Sequence, residues 1–159
     1  MGRSWWATTS WSCTCDAPSE PMQRAPIMAS ANLASVLERR AEAGGWPDRV
    51  AFTSGDRSFT HGEVHEGGAR LASWLAEMGV ERGDRVLIAL SDRVELAWAF
   101  LAAVRLAAIA IPVNPELTPE DHRQLASDSA ARAVVCEDGL AAPFKGHGVV
   151  LHASDLAPA

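Results

Sequence analysis

His61 and His65 stand four residues apart, the spacing that sets two imidazoles on one helix face, as in the zinc-binding His-Glu-x-x-His arrangement. Glu63 falls one position late for that motif and no third ligand is evident, so the expectation is a pair of exposed helix histidines. Cys13-Thr-Cys15 is too tight for a Cys-x-x-Cys zinc pair, and no second pair completes it. Cys136 closes a short apolar run, where a thiol could act as a nucleophile with His147 or His152 as its base. Nothing near it in sequence supplies an orienting acid or an oxyanion turn, which favours a buried structural cysteine. Gly139, Gly146 and Gly148 do not make Gly-x-Gly-x-x-Gly and no helical pattern follows them, which argues against a dinucleotide site. Lys145, the lone lysine, lies between Phe144 and Gly146 and is not part of a Walker-type Gly-Lys-Ser/Thr sequence. No catalytic, cofactor-binding or metal-ligating residue is assigned on these grounds.

The elements that would position such groups are easier to read. From Asn32 to Ala43, Leu33, Val36 and Leu37 recur at helical spacing beside Glu38, Arg39 and Arg40, and Gly44-Gly45 supplies a stop. Val50-Ala-Phe-Thr and Arg57-Ser-Phe-Thr60 flank Gly55-Asp56, which suits a two-residue hairpin turn. Thr60 and Glu63 form a capping box for a second helix running to about Met78, with Gly79 at its end. Gly67-Gly68 weakens that helix by up to about 1 kcal/mol each relative to alanine, so packing must hold it. Arg85 to Leu90 reads as a strand buried on both faces. Asp92 and Glu95 repeat the capping logic for a third helix ending near Leu106. Ile109 to Val113 is a second buried strand, Thr118 caps a fourth helix with Pro119 in its first position, and Ala133 to Cys136 is a third strand. Val149-Val-Leu151 is one further candidate strand. Alternation of strand and helix predicts a three-layer α/β fold with a mainly parallel sheet and flanking helices.

Three segments in this order resemble the early part of the AMP-forming acyl-CoA synthetases: Phe59-Thr-His-Gly-Glu-Val64, Gly83-Asp-Arg-Val-Leu-Ile-Ala-Leu90, and the helix, strand and turn from Phe100 to Pro115. The resemblance covers roughly Asn32 to Cys136, and Val113 to Glu120 leans toward the benzoate-CoA ligase branch. It implies the first part of a larger synthetase N-terminal domain. Full-length relatives use ATP, magnesium and CoA to turn an aryl or fatty carboxylate into an acyl-adenylate and then an acyl-CoA. The family's Ser/Thr/Gly-rich phosphate loop ending in Pro-Lys does not occur between Met1 and Ala159, so the chain alone is expected to be inactive and to need no cofactor of its own. Ala107 stands where the family usually has glycine and Asp92 where it has asparagine. An alanine resists positive φ, so an altered helix-to-strand turn is expected at Ala107.

Composition fits one ordinary domain: 159 residues, 48% apolar and 21% charged, with a net charge of −6. The arginines are scattered and no basic stripe forms, which speaks against nucleic acid as a partner. Three cysteines cannot all pair within one chain, and a reduced cytoplasmic setting is the simplest expectation. Val94 to Val113 is long enough for a bilayer but carries Glu95 and Arg105. A charge at that depth costs about 2.5–3.5 kcal/mol, so no membrane span is expected. Residues 1–29, with Trp5, Trp6 and Trp11 among Ser, Thr, Cys and Pro, read as a disordered tail or a start assigned too far upstream. Residues 30–159 then form the partial N-terminal subdomain. The natural partner is the missing remainder of the synthetase. The alternatives are a free-standing α/β module that pairs with another chain, and a truncated remnant without function.

Overall fold

The computed structural model describes residues 32–156. The expected tail at residues 1–29, with Cys13 and Cys15, lies outside the described residues.

Helix α1 (Leu33–Ala43) starts at Asn32, whose side-chain oxygen accepts from the Ser35 N–H at 2.9 Å. Strands β1 (Val50–Ser54) and β2 (Arg57–Thr60) form the antiparallel hairpin expected around Gly55-Asp56. Helix α2 (His61–Glu77) carries the predicted capping box: Thr60 Oγ1 accepts from the Glu63 N–H at 3.2 Å, and the Glu63 carboxylate accepts from the Thr60 N–H at 2.8 Å.

Next come β3 (Arg85–Ala89), α3 (Val94–Arg105), β4 (Ile109–Pro112), α4 (Pro119–Ser129), β5 (Ala133–Cys136) and β6 (Val149–His152), with 3-10 turns at Ala142–Phe144 and Ala153–Leu156. The four strands β3 to β6 make one wholly parallel sheet in the order β4-β3-β5-β6. Side chains alternate across it as the pleat requires. Val86, Ile88, Ala133, Val135 and Leu151 join the core that α2 and α3 cover. Leu87, Ala89, Val134 and Cys136 join Ala126 of α4 and Phe144 on the other face. Helices on both faces of a parallel sheet give the three-layer α/β architecture that the apolar runs predict.

Two local expectations need correction, at Asp92 and Ala107, and the orientation of α1 is one that the sequence left open. Asp92 does not cap α3. The N-cap is Arg93, without a side-chain capping bond, and its guanidinium instead holds Glu95 at 2.9 Å. The apolar line of α1 faces outward: Leu33, Val36 and Leu37 are 51%, 41% and 42% exposed, whereas Ala34 and Ala41 are buried. Small residues on its inner side let α1 lie close to its neighbours, and Arg105 on α3 ties it down through Glu38 at 2.9 Å. The turn after α3 is also not altered by alanine, since Ala107 itself takes a left-handed φ of 55°.

Candidate functional site

In a doubly wound parallel sheet, ligands favour the crevice beyond the carboxyl ends of the strands, where the strand order reverses. Here the chain leaves β3 for β4 on one side and crosses back to β5 on the other, so the reversal lies between β3 and β5. The segments that emerge there are Leu90 to Arg93 after β3 and Glu137-Asp138 after β5.

Glu137 organises this end. One carboxylate oxygen accepts from the Ser91 N–H at 2.9 Å and from the Ser91 hydroxyl; the other accepts from Arg93 Nη1 at 3.0 Å. Arg93 therefore sits between two carboxylates, Glu95 and Glu137. Partial burial alone would raise the Glu137 pKa, but the hydrogen bonds from Ser91 and Arg93 outweigh it and hold the carboxyl below its usual range. A carboxylate so held is a weak proton acceptor, which makes it a poor activator of the Ser91 hydroxyl. The cluster staples two strand ends together. Asp138 extends it by accepting from the Ser154 N–H at 2.9 Å.

Beside the cluster runs a groove. Leu90, Ser91, Leu96, Pro112 and Asn114 line an open lobe of about 400 Å³ over the ends of β3 and β4. Leu96 and Pro112 also line the next lobe, about 330 Å³, whose other walls are Phe52, Ala97, Phe100 and Leu101. Phe52, Ala97 and Leu101 in turn border a third lobe of about 270 Å³, which reaches Leu37, Trp46 and the two histidines of α2. The shared residues place the three lobes side by side, polar at the sheet end and apolar in the middle one.

Behind Asn114 lies His122, a fully buried residue that sequence reasoning missed. Its Nε2 lies 3.0 Å from the Asn114 carbonyl oxygen, and its ring packs on Phe144 at 5.3 Å. Glu137 was missed as well, because its partners lie 46 and 44 residues away in sequence.

The sequence-derived candidates fall into place differently. His61 and His65 are half-buried, not exposed: they border the third lobe, and His61 lies against Trp46 at 6.0 Å. Burial pushes the His65 pKa below the usual histidine value, against the opposing pull of Glu38. Among the described residues no group of three His, Cys, Asp or Glu side chains is placed to hold a metal ion. Cys136 is fully buried, and burial pushes its thiol up to about 11. His152 is its register partner on β6, yet no hydrogen bond joins the two among the described residues, so the buried structural reading stands. Lys145 is exposed, and a Cβ at Gly148 would lie 2.8 Å from the Ala131 carbonyl oxygen, so Gly148 serves backbone crowding between strands. No helix among the described residues is long and apolar enough to cross a membrane.

Residues 38–157 match the family described as AMP-binding enzyme. A p-hydroxybenzoic acid–AMP ligase of Mycobacterium marinum, FadD22, is 38% identical over 129 residues, which is 81% of this chain and 18% of that protein. A 3-hydroxybenzoate–CoA ligase of an Aromatoleum species is 38% identical over 90 residues, 57% of this chain and 17% of the relative. The crystal structure of a benzoate CoA ligase from Burkholderia xenovorans superimposes with a TM-score of 0.72 at 31% identity, covering 80% of this chain and 27% of the ligase. The chain thus spans about a fifth to a quarter of the length of these relatives.

Proposed function

Since the chain belongs to the AMP-binding enzyme family, and is ligase-like within it, we propose that it forms the N-terminal scaffold of an ATP-dependent acid ligase acting on an aromatic carboxylate. The observation that carries this reading is the match to the benzoate CoA ligase, where 80% of the chain follows one stretch making up 27% of that enzyme. The hydroxybenzoate and benzoate relatives support an aromatic acid over a fatty one.

On this reading residues 30–159 build the first sheet of the larger domain, while ATP, magnesium, the acid and CoA are held by segments outside it. The described residues supply scaffold groups at the sheet end: Ser91, Arg93 and Glu137 spend their hydrogen bonds on one another. Electrostatic stabilisation of a transferring group needs preorganised, unspent donors, and scattered surface arginines screened by salt do not provide them. We therefore assign no catalytic, cofactor or metal residue to this chain. Its setting is the cytoplasm, where ATP and CoA are both available.

The experiment has two arms. Purified chain is assayed for benzoate-dependent pyrophosphate exchange and titrated with ATP by calorimetry; neither exchange nor micromolar ATP binding is expected. In the second arm the chain replaces the matching region of the Burkholderia xenovorans ligase, and the fused protein is expected to retain benzoate-dependent exchange. Exchange by the chain alone, or a folded but inert fusion, would overturn the assignment.

A further inference from the structure

We infer that the lobe between α1, the hairpin, α2 and α3 is a binding site for a small aromatic carboxylate, separate from the sheet end, with Arg40 as the partner of the acid group. The inference goes beyond the functional reading above and does not depend on it.

The lobe exists because small residues stand where its walls meet. Ala41, Ala51 and Ala97 leave about 270 Å³ between elements that otherwise pack closely. Trp46 does not fill that space. Its N–H donates to the Ala41 carbonyl oxygen at 2.8 Å, and its indole lies against Gly44, where an added Cβ would sit 2.6 Å from Cε2. Held there, the indole forms one wall, and Phe52, Val64 and Leu101 form others. Ligand pockets ordinarily span about 300–1,000 Å³, so a space just below that range suits a single ring with a short side chain. The rings of Trp46, Phe52 and His61 favour an aromatic one.

The polar groups decide the other end of the ligand. Arg40 is exposed, and no ion pair reaches it among the described residues. Its helix neighbours three and four positions away are Val36, Leu37, Ala43 and Gly44, none of them acidic. A planar guanidinium of this kind matches a carboxylate with two parallel hydrogen bonds. His61 and His65 add ring nitrogens to the same lining. The Nδ1 of His65 is buried without a hydrogen-bond partner among the described residues, a state that buried polar atoms seldom keep unless water or a ligand meets them. Glu38, Glu42 and Glu66 line the neighbouring lobe, which shares the two histidines, but no carboxylate lines this one. An amine would therefore find no acceptor carboxylate beside the rings, whereas an acid meets Arg40.

The test titrates the full, nitrogen-15-labelled chain with three probes of one shape, 3-phenylpropanoate, 3-phenylpropan-1-ol and 3-phenylpropylamine, and follows backbone amide shifts by NMR. The acid is expected to bind with a dissociation constant below about 1 mM, ordinary for a ligand of about eleven non-hydrogen atoms, and about tenfold more tightly than the alcohol. The shifts should centre on Trp46, His61 and His65. Arg40→Gln should abolish the preference for the acid and leave binding of the alcohol as it was; because Arg40 is exposed, the unfolding midpoint should not move. Ala97→Phe should fill the lobe and weaken acid and alcohol alike, while Arg123→Gln on α4 should change neither. Equal binding of the three probes would reveal an apolar hole without recognition and overturn the proposal. A preference for the amine would do so too, by moving the site to the glutamates of the neighbouring lobe. The proposal also fails if the acid keeps its advantage in Arg40→Gln, or if no shift appears up to about 10 mM acid.

Discussion

A Cβ added at Gly67 would lie 2.6 Å from Cδ1 of the Trp98 indole, closer than real carbon contacts allow. The glycine that weakens α2 locally is therefore what lets α3 approach it, and Gly68 does the same against Leu101, where an added Cβ would sit 2.9 Å from Cβ. Trp98 then meets Phe59 edge-on at 6.0 Å, joining helix and hairpin. Alanine at 67 would gain about 1 kcal/mol of helix propensity, while overpacking costs about 1–3 kcal/mol. Gly67→Ala is expected to be destabilising on balance, by about 1 kcal/mol in urea unfolding, and the loss in Gly67→Ala with Trp98→Leu should be smaller than the sum of the two single losses. A stabilised Gly67→Ala would show that the two helices are free to separate.

Ala107 at φ 55° bears a cost that glycine would not. The left-handed conformation costs an ordinary residue about 1–2 kcal/mol, against about 0.5–1 kcal/mol for the greater freedom of glycine in the unfolded chain. Ala107→Gly should raise the urea midpoint by an amount equivalent to up to about 1 kcal/mol, and Ala107→Val should lower it. An unchanged or lower midpoint for glycine would mean that the turn relaxes around alanine without strain.

Cys136 combines full burial with a thiol pushed up to about 11. At pH 8 only about one thiol in a thousand is then ionised, and thiolate is the reactive form. Native protein treated with iodoacetamide at pH 8 should leave Cys136 unmodified in peptide mass spectra, and denatured protein should be modified fully. Rapid native labelling would require the β5 end to open.

Most of the fold was legible because its signals are local. Thr60 with Glu63, and Thr118 with Pro119, mark helix starts within one turn, and the runs around Val86 and Val134 are apolar throughout because both faces of the sheet are covered. The capping guess at Asp92 failed because Arg93 and Glu137, joined across 44 residues, set the geometry there. Periodicity located the apolar line of α1 but not its direction, since a stripe of Leu33, Val36 and Leu37 reads the same whether it meets a core or a face left open. The sheet-end cluster and His122 were invisible for the same reason: a lone glutamate or histidine acquires meaning only when topology brings Ser91 or Asn114 beside it.

Glu137 ties stability to pH in a direction that can be worked out. Burial pulls its pKa upward, yet the Ser91 hydroxyl and N–H and the Arg93 guanidinium bring the folded value below the ordinary 4.5. The folded state thus prefers the carboxylate more than the unfolded chain does. Its contribution is fully present above pH 4.5 and is lost as pH falls through the lower folded value. The side chain is 27% exposed, so solvent screening keeps the contribution to about 1 kcal/mol. Glu137→Gln retains the shape and removes the charge. At pH 7 and low salt the variant should be less stable by about that amount, and the difference between the two urea-unfolding curves should shrink as pH falls below 4.5 and the wild-type carboxylate protonates. Added salt should narrow the gap at pH 7, because Arg93 is one of the partners. A constant difference from pH 7 to pH 3 would show that Glu137 acts through packing and not through its charge.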